Sequence, residues 1–470
     1  MILKTVNNYL IFKKMNIPKI VNQQKKFFNS NSTKQVSLRI ETLKKLKIVL
    51  KENEKELYTA IYTDFKKSEF ETYLTELSLI YNELNDAIRN LKKWSKQKRV
   101  RTNLANFPAK SYIIPEPLGT ILVISAWNYP YQIALIPAIS AIAAGNTVVI
   151  KPSEIPNNTS KILAELINAN FDENHLCVIE GGVETTTELL QEKWDKIFFT
   201  GSTPVGKIVY KAAAENLTPV TLELGGKSPT FVLADCNIKI TAKRIVWAKL
   251  LNAGQTCIAP DYLLVEKSIE SELLEALKKE IEEFYPNSEN IAENYVQIVN
   301  ERNFNRLKEL IHTDKIYHGG ETNLENRSIS PTILHNINFE DTIMQDEIFG
   351  PILPIISFEN LENVITKIKE REKPLSLYVY SKNKKTIKKI LHEISFGGGA
   401  INESLVQMSN PNLPFGGVGA SGIGAYHSKT GFDTFTHYKS ILHKTSWIEP
   451  NIKYSPFTEL KSKILKFLLE

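Results

Sequence analysis

Between residues 119 and 200 the chain alternates short, largely apolar runs with longer segments whose apolar residues recur at helical spacing. Runs without regular polar positions are typical of strands covered on both faces of a parallel sheet, and the segments between them supply crossover helices. The alternation predicts strands at 119–125, 146–150, 177–179 and 196–200, and helices at 131–144, 160–168 and 184–190. The fold class is therefore α/β, with a doubly wound parallel sheet in this part of the chain.

Helical periodicity dominates the residues before this sheet. Apolar positions recur at helical spacing within 36–50 and 75–94, among many lysines and glutamates. A second α/β block runs from about 225 to 402, and the apolar run 263–265 inside it is a predicted strand. The pattern thus predicts a helical start and two α/β blocks, without internal repeats.

The composition is typical of a globular protein, with 470 residues, 42% of them hydrophobic and 23% charged. A chain of this length is expected to form two or three domains. Its net charge of +6 is spread over short, dispersed lysine pairs. Such a surface does not indicate nucleic-acid binding, because no basic stripe with interleaved aromatic residues is present.

The cysteines and the hydropathy of the chain indicate the type of compartment that we expect for the protein. The three cysteines, Cys177, Cys236 and Cys257, are too far apart for a disulfide framework or a paired-cysteine zinc site. We therefore expect no bound metal and a reducing, cytoplasmic environment. No apolar run reaches the roughly 18–20 residues that span a bilayer, so membrane contact is not expected.

The two ends of the chain lie outside the regular pattern. Residues 1–18 place apolar side chains between lysines without a signal-peptide core, and we expect an N-terminal extension that begins at Met1 or at Met15. Residues 460–470 have a short amphipathic pattern. It predicts a helix docked on the protein or on a partner subunit, with contact to a membrane surface as the alternative.

Polar residues follow the first two predicted strands, at the edge where open parallel sheets bind ligands. The Asn128 amide can donate a hydrogen bond to a developing oxyanion, or it can cap the turn before Pro130. Lys151 and Glu154 offer an ammonium and a carboxylate that suit a ribose, or they form a helix-capping turn. The residues alone leave both alternatives open.

Gly201, Ser202 and Gly206 follow the strand at 196–200 and open a helix. Glycines let the backbone approach a phosphate, and a helix N-terminus presents N–H groups and a positive dipole end. The spacing is neither Gly-x-Gly-x-x-Gly nor a Walker motif. It is therefore a less specific sign of a bound dinucleotide.

Two side chains suit acyl chemistry. Glu223 lies between leucines, where apolar surroundings raise a carboxyl pKa and favour a general base, with a buried salt bridge or a cap as the alternative. Cys257 lies on a Gly-led turn before the predicted strand at 263–265, where backbone N–H groups can lower the pKa of a thiol. A lone cysteine is more often a small buried hydrophobic residue. Whether Cys257 is catalytic therefore depends on the other motifs of the chain.

The order of the motifs resembles the aldehyde dehydrogenase superfamily over residues 117–424. The motifs are Trp-Asn-Tyr-Pro at 127–130, Lys-Pro-Ser-Glu at 151–154, Gly-Ser-Thr-Pro-Val-Gly at 201–206, Glu-Leu-Gly-Gly-Lys-Ser-Pro at 223–229, Gly-Gln-Thr-Cys at 254–257, Glu-Ile-Phe-Gly-Pro at 347–351 and Pro-Phe-Gly-Gly-Val-Gly-Ala-Ser-Gly at 414–422. The residues after Cys257 and those around His427 resemble the class 3 or fatty-aldehyde branch.

The resemblance implies an enzyme that oxidises medium- or long-chain aliphatic, or aromatic, aldehydes to carboxylic acids with NAD, or with NADP. Cys257 would attack the aldehyde to give a thiohemiacetal and then a thioester. The Asn128 amide would hold the oxyanion, and Glu223 would activate the water that hydrolyses the thioester.

The resemblance also implies where the dinucleotide binds. Lys151 and Glu154 would contact the adenosine ribose, and the segment containing Gly201, Ser202 and Gly206 would lie at the pyrophosphate. Glu347 with Phe349 would position the nicotinamide half. Glu154 would favour NAD by repelling a 2′-phosphate, although this branch accepts both cofactors.

The implied domains are an NAD(P)-binding domain at 19–224, a catalytic domain at 225–410, and an active-site funnel with a C-terminal oligomerisation segment at 411–470. Residues 100–117 would join a small β bridging arm whose pairing with the other subunit's sheet implies a homodimer. The physiological aldehyde and the role of His427 stay open. The alternatives are a coenzyme A-acylating relative, which usually lacks the Glu223 equivalent, and a non-redox homologue.

Overall fold

The computed structural model describes residues 16–286 and 294–469. The choice between Met1 and Met15 and most of the predicted extension at 1–18 lie outside the described residues. The first described helix begins at Ile17, whose side chain is buried in the core.

Strands and helices alternate along most of the chain. In chain order the strands are β1 (Lys98–Val100), β2 (Ala109–Pro117), β3 (Thr120–Ile124), β4 (Thr147–Lys151), β5 (Leu176–Val178), β6 (Lys196–Thr200), β7 (Val220–Glu223), β8 (Pro229–Val232), β9 (Tyr262–Glu266), β10 (Ile316–His318), β11 (Thr322–Asn323), β12 (Ser328–Ile329), β13 (Thr332–Leu334), β14 (Ile352–Phe358), β15 (Ser376–Tyr380), β16 (Gly398–Ile401), β17 (Gly422–Ile423) and β18 (Thr436–Lys444).

The helices cover the predicted helical segments and extend beyond them. They are α1 (Ile17–Asn29), α2 (Val36–Glu52), α3 (Glu54–Phe65), α4 (Glu69–Thr72), α5 (Ser78–Trp94), α6 (Gln132–Ala144), α7 (Asn157–Asn170), α8 (Val183–Gln191), α9 (Thr203–Glu215), α10 (Ile238–Leu250), α11 (Glu270–Phe284), α12 (Glu301–Glu309), α13 (Leu361–Lys369), α14 (Lys384–Glu393), α15 (Ser428–Thr434) and α16 (Glu459–Leu469). A π-helical turn at Tyr73–Leu77 joins α4 to α5.

The predicted doubly wound sheet is confirmed. Its strand order is β17-β7-β6-β3-β4-β5, and β3 to β7 run parallel. In β3, Ile121 and Val123 join the apolar layer that contains α6, while Leu122 and Ile124 join the layer that contains α1 and α9. Because both faces are covered, every side chain of β3 is buried, which explains the absence of hydrophobic–polar alternation.

A second sheet has the order β10-β13-β14-β9-β8-β15-β16 and is parallel except at β10. The predicted strand at 263–265 is the middle of β9. Glu223 lies at the end of β7 in the first sheet, and Cys257 lies in the loop before β9 in the second. The two sheets therefore bring the candidate base and the candidate nucleophile toward one another.

The third sheet is small and antiparallel, with the order β1-β2-β18. Its long pairing runs from Pro117 opposite Thr436 to Ala109 opposite Lys444. This sheet joins the residues near 100–117 to the C-terminal part of the chain. The C-terminal helix α16 lies near the short turn at Leu104–Asn106. Within the described ranges, no helix has both the length and the apolar character to cross a membrane.

Candidate active site

A cavity of about 440 Å³ is lined by the end of β7, the loop before β9 and the turn after β3. Most of the residues predicted for the site line this cavity: Asn128, Gly201, Ser202, Glu223, Cys257, Glu347 and Phe349. The other three, Lys151, Glu154 and Gly206, lie outside it, at the end of β4 and in the first turn of α9.

Cys257 is carried by a turn that the backbone adopts at a cost. Asn252 and Ala253 have φ values of 54° and 50°, in the left-handed region. Each such residue with a side chain costs about 1–3 kcal/mol unless its surroundings hold it. Gly254 follows with a φ of 72°, and a Cβ there would lie 2.2 Å from the carbonyl oxygen of Gly350. Glycine is therefore required at this position, and its two predecessors need compensating contacts.

Hydrogen bonds from other elements supply those contacts. Glu71 Oε1 accepts the Asn252 N–H at 2.7 Å, and Asn252 Nδ2 donates to the backbone oxygen of Asn128 at 2.9 Å. The hydroxyls of Tyr129 and Thr256 lie 2.5 Å apart in a hydrogen bond. The turn that carries the thiol is thus fastened to α4 and to the turn that carries Asn128.

The pKa of the Cys257 thiol is raised, whereas from the sequence we expected backbone N–H groups to lower it. Burial raises the pKa of the thiol, and the nearby carboxyl groups of Glu347 and Glu223 raise it further. The N–H groups of Cys257 and Ile258 act in the opposite direction but do not outweigh burial. The predicted lowering is wrong because the thiol lies in a low-dielectric cavity beside two acids.

Glu223 has the environment that its leucine neighbours predicted. Its backbone is fixed in the sheet, where its carbonyl oxygen accepts the Gly201 N–H at 3.0 Å. The residue is only 3% exposed, and among the described residues neither carboxyl oxygen has a hydrogen-bond partner. Burial therefore raises the pKa of this carboxyl well above its usual value. A buried acid of this kind is suited to general-base catalysis.

Asn128 does not act as the cap that was its alternative role. Its Nδ2 donates to the carbonyl oxygen of Gln255 at 3.0 Å, which fixes the amide against the turn that carries Cys257. An amide nitrogen has two hydrogens, so one donor remains for a ligand. That donor and the backbone N–H of Cys257 are suited to stabilise an oxyanion at the same carbon.

Lys151 and Glu154 form an ion pair at the end of β4. Lys151 is buried, and its Nζ donates to Glu154 Oε2 at 3.0 Å and to the Pro152 carbonyl oxygen at 2.8 Å. The Glu154 side chain is 48% exposed, so its carboxylate stays accessible. The arrangement offers a fixed cation and a free carboxylate oxygen beside the sheet.

The helix α9 begins directly after β6. Ser202 is its N-cap residue, and the Ser202 side chain makes no capping hydrogen bond. A Cβ at Gly206 would lie 2.6 Å from the Leu224 side chain, so glycine lets the helix pack closely against the end of β7. The first-turn N–H groups and the positive end of the dipole face the same edge of the sheet as Gly201, a setting that suits an anion.

The loop at 346–350 supplies Glu347 and Phe349 to the cavity. Burial raises the pKa of Glu347 to about 8, and the nearby Asp261 carboxylate adds to this. A Cβ at Gly225 would lie 2.0 Å from Glu347 Oε2, so the glycine makes room for this carboxyl. The Phe349 ring meets the Trp127 ring edge-on, with centroids 5.3 Å apart.

An ion pair beneath this loop was not predicted. Lys227 Nζ donates to Asp261 Oδ2 at 2.6 Å and to the Asp346 carbonyl oxygen at 2.9 Å, while Asp261 Oδ1 accepts the Ile348 N–H at 3.0 Å. The pair therefore fixes the backbone on both sides of Glu347. The signal was present, since Lys227 lies in the Glu-Leu-Gly-Gly-Lys-Ser-Pro motif and Asp261 follows the Gly-Gln-Thr-Cys motif.

His427 lies behind the cavity wall. Its ring stacks on Phe415 with centroids 5.4 Å apart and meets Tyr426 edge-on at 4.4 Å. Phe415 and Tyr426 line the cavity. Burial lowers the pKa of His427 to about 4, so the imidazole is neutral near pH 7. This placement favours support of the wall over contact with a substrate.

The wall formed by residues 74–82 was also not predicted. Leu74, Thr75, Ser78, Leu79 and Asn82 line the cavity from the π-helical turn and the start of α5. In the sequence these residues belong to an ordinary amphipathic pattern. Nothing in that local pattern distinguishes a helix face that meets a cavity from one that meets the core.

Comparison with known sequences identifies the same family as the motifs of this site. The model of the aldehyde dehydrogenase family matches residues 4–441. The 4,4'-diaponeurosporen-aldehyde dehydrogenase of Staphylococcus aureus is 48% identical over 435 residues, which are 92% of this chain and 95% of that protein. Rat aldehyde dehydrogenase family 3 member A2 is 44% identical over 451 residues, 96% and 93% of the two chains. The rat dimeric NADP-preferring aldehyde dehydrogenase is 45% identical over 425 residues, 90% and 94%.

Solved structures give the same result. The substrate-bound state of Staphylococcus aureus AldH matches with a TM-score of 0.95 and 46% identity, over 97% of this chain and 100% of that one. An NAD-dependent aldehyde dehydrogenase from Sinorhizobium meliloti matches with a TM-score of 0.83 and 26% identity, over 92% and 88%. The chain therefore belongs to the aldehyde dehydrogenase family, as its motifs predicted, and it oxidises aldehydes to carboxylic acids with NAD or NADP.

Proposed function

We propose that Cys257 is the nucleophile of this oxidation, Asn128 an oxyanion donor and Glu223 the general base. The observation that carries the proposal is that all three side chains line one cavity, with Asn128 tied to the turn that carries Cys257. The surrounding burial raises the pKa of both Cys257 and Glu223. A proton can therefore pass between thiol and carboxylate without either group being far from its preferred state.

In the first step the Cys257 sulfur bonds to the aldehyde carbon, and the π electrons of the carbonyl move to its oxygen. The thiol proton passes to a base in the cavity, for which Glu223 is the candidate. The free hydrogen of the Asn128 amide and the Cys257 N–H stabilise the oxyanion of the thiohemiacetal. The apolar lining lowers the local dielectric, which strengthens both hydrogen bonds.

The residues of the cofactor side fit a dinucleotide. NAD or NADP, when bound, supplies the hydride acceptor. The start of α9 offers N–H groups to a pyrophosphate. The Lys151–Glu154 pair offers a cation and a carboxylate to a ribose. With its pKa at about 8, the Glu347 carboxyl is mostly protonated near pH 7 and can both donate to and accept from a hydroxyl.

After oxidation the thioester must be hydrolysed. Once Glu223 has passed the thiol proton on to solvent, its carboxylate takes a proton from water, the water oxygen bonds to the thioester carbon, and the carbon–sulfur bond breaks to release acid and thiolate. The presence of this base supports hydrolysis over transfer to coenzyme A.

The cavity favours uncharged aldehydes with an apolar body. Its walls include Leu74, Trp127, Trp247, Leu251, Met408 and Phe415. In the described part of the chain no lysine or arginine lines it, and its charged groups are the acids Glu223 and Glu347. A relative named for a large apolar aldehyde, 4,4'-diaponeurosporen-aldehyde, supports the same substrate class. We include medium- and long-chain aliphatic and aromatic aldehydes in it.

We further propose that the enzyme is a homodimer in the cytoplasm. The strand β18 is one edge of the small sheet, and β16 is one edge of the seven-stranded sheet. In a two-fold dimer, β18 of each chain could pair with β16 of the other. The unpaired backbone N–H and C=O groups of both edge strands would then be hydrogen-bonded in each chain. The name of the dimeric rat relative supports this. The three free cysteines support a reducing compartment, which cell fractionation tests.

Removal of the nucleophile and removal of the base should give different kinetics. Cys257→Ala should abolish both the initial burst of reduced dinucleotide and steady turnover. Glu223→Gln should keep a burst amplitude close to one equivalent at a lower burst rate, and should lower kcat by about 10²–10⁴-fold, because the base is missing both for the thiol and for hydrolysis of the thioester. Stopped-flow absorbance measures both phases. Cys236→Ala, a buried cysteine outside the cavity, is the matched control and should keep wild-type rates. Undiminished turnover in Cys257→Ala would refute the proposal.

The rate should rise with pH. Because burial raises the pKa of Glu223, the carboxylate that activates water becomes more populated as the pH increases. The raised pKa of the Cys257 thiol acts in the same direction. We expect kcat to keep rising with pH well above the usual titration range of a glutamate, and the increase in the hydrolysis rate to disappear in Glu223→Gln. A flat wild-type profile would contradict this assignment of the base.

The apolar walls should make longer aldehydes better substrates. Each buried methylene contributes about 0.8 kcal/mol, so kcat/KM should rise by about 4-fold per carbon until the cavity is filled. Aldehydes that carry a carboxylate should react poorly, because among the described residues no lysine or arginine lines the apolar cavity to pair with that charge. A steady-state panel of chain lengths, aromatic aldehydes and semialdehydes with each dinucleotide tests this. Equal kcat/KM for a semialdehyde and its alkyl analogue would argue against the class.

The dimer should depend on β18. Leu442 is 48% exposed on that strand, and Leu442→Lys should shift the mass measured by light scattering from two chains toward one. Leu217→Lys changes an exposed leucine after α9 and should leave the mass unchanged. A monomeric wild-type enzyme would remove the basis of the proposal.

A further inference from the structure

Three charged side chains between α3 and α5 have no part in the chemistry proposed above. Lys67 and Glu76 have fully buried side chains, each 0% exposed, and their Nζ and Oε1 atoms lie 3.3 Å apart. Glu71 lies between them in the sequence, and burial raises its pKa while the charge of Lys67 lowers it in part. Burying such a group of charges costs free energy that an apolar cluster would not. The hydrogen bonds of Glu71 and Glu76 indicate the role of this charged cluster.

Glu76 holds the turn that carries Asn128. Its Oε2 accepts the N–H groups of Tyr131 and Gln132 at 2.8 and 3.1 Å, at the start of α6. A carboxylate at a helix N-terminus is favourable because it meets unpaired N–H groups and the positive end of the dipole. Since Asn128 lies just before this helix, Glu76 fixes the position of the oxyanion donor.

Glu71 holds the turn that carries Cys257. Its Oε1 accepts the N–H of Asn252, the first of the two left-handed residues, at 2.7 Å. Lys67 joins the two carboxylates electrostatically, and its ammonium also lies 4.6 Å from the centroid of the Tyr129 ring. Tyr129 in turn bonds Thr256, the neighbour of Cys257. One cluster thus contacts both halves of the catalytic arrangement.

Glu76 lies in the π-helical turn at Tyr73–Leu77, a conformation that is frequent at functional sites. Leu74 and Thr75 of this turn also line the cavity. We infer that Glu71, and Glu76 with its ion-pair partner Lys67, are positioning residues that hold the Cys257 turn and the Asn128 turn at a fixed separation. The inference rests on the roles proposed for Cys257 and Asn128.

Two substitutions of Glu71 distinguish the effect of side-chain length from the effect of charge. Glu71→Gln keeps an oxygen at the same distance from the Asn252 N–H but loses the charge. Glu71→Asp keeps the charge beside Lys67 but withdraws the carboxylate by about 1.5 Å, one carbon–carbon bond. If Glu71 positions the turn, Glu71→Gln should keep kcat within about 3-fold of wild type, and Glu71→Asp should lower it by about 10–100-fold, because small displacements at a reacting centre are costly.

The measurements must detect a change in the reactivity of the Cys257 thiol and distinguish it from a general loss of stability. In Glu71→Asp the alkylation of Cys257 by iodoacetamide should slow together with the burst, while the affinity for the dinucleotide and the KM for aldehyde stay within about 3-fold. Glu69→Asp and Glu69→Gln form the matched control pair, since Glu69 is exposed on the same short helix. Both should behave as wild type.

The opposite pattern, with Glu71→Gln impaired and Glu71→Asp normal, would show that charge and not reach matters, and it would overturn the inference. Equal wild-type activity in both variants would overturn it as well. A parallel loss of kcat and dinucleotide binding would assign Glu71 to general stability, with the same consequence. These outcomes are distinct from failure of the proposed function, which would appear as an active Cys257→Ala enzyme.

Discussion

Cys257 reaches the cavity because Asn252 and Ala253 hold the backbone in a left-handed turn, a conformation that neither residue adopts without cost. The turn persists because its polar groups are bound from outside the second sheet, by Glu71 of α4 and by the segment after β3. The close approach of Gly254 to the loop that carries Glu347 adds a third support. The proposed nucleophile, the proposed oxyanion donor and the loop that carries Glu347 therefore occupy one hydrogen-bonded arrangement, although they come from distant parts of the chain.

Desolvation is the second consequence of this arrangement. Closing the cavity with apolar walls raises the pKa of Cys257, Glu223 and Glu347 together, so the neutral forms of three acids are favoured in a small volume. A single ionised group there is a strong nucleophile or base because little water competes with its reaction. The same burial that makes each anion costly therefore makes it reactive when it forms.

The sequence predicted the doubly wound sheet from local signals, and the order of its motifs pointed to the three candidate catalytic side chains. Apolar runs covered on two faces identify β3 and β4, and the residues at strand ends fall at one edge of the sheet by topology. The wall at 74–82 and the contacts of Glu71 left no such signal, since they depend on which helix face meets a cavity. The direction of the Cys257 pKa was misjudged for a related reason. The N–H groups near the sulfur are local, whereas burial and the neighbouring acids arise from tertiary packing.

The antiparallel pairing of β18 with β2 has a consequence for how the chain folds. Around that pairing, the C-terminal residues complete the first domain: Asn146 donates to the carbonyl oxygen of Phe435, and the N–H of Ser428 binds the Glu83 carboxyl. These contacts join residues 289 and 345 positions apart. During synthesis the first sheet therefore stays incompletely packed until nearly the whole polypeptide has left the ribosome, and its apolar surface is exposed for longer than its position in the sequence suggests.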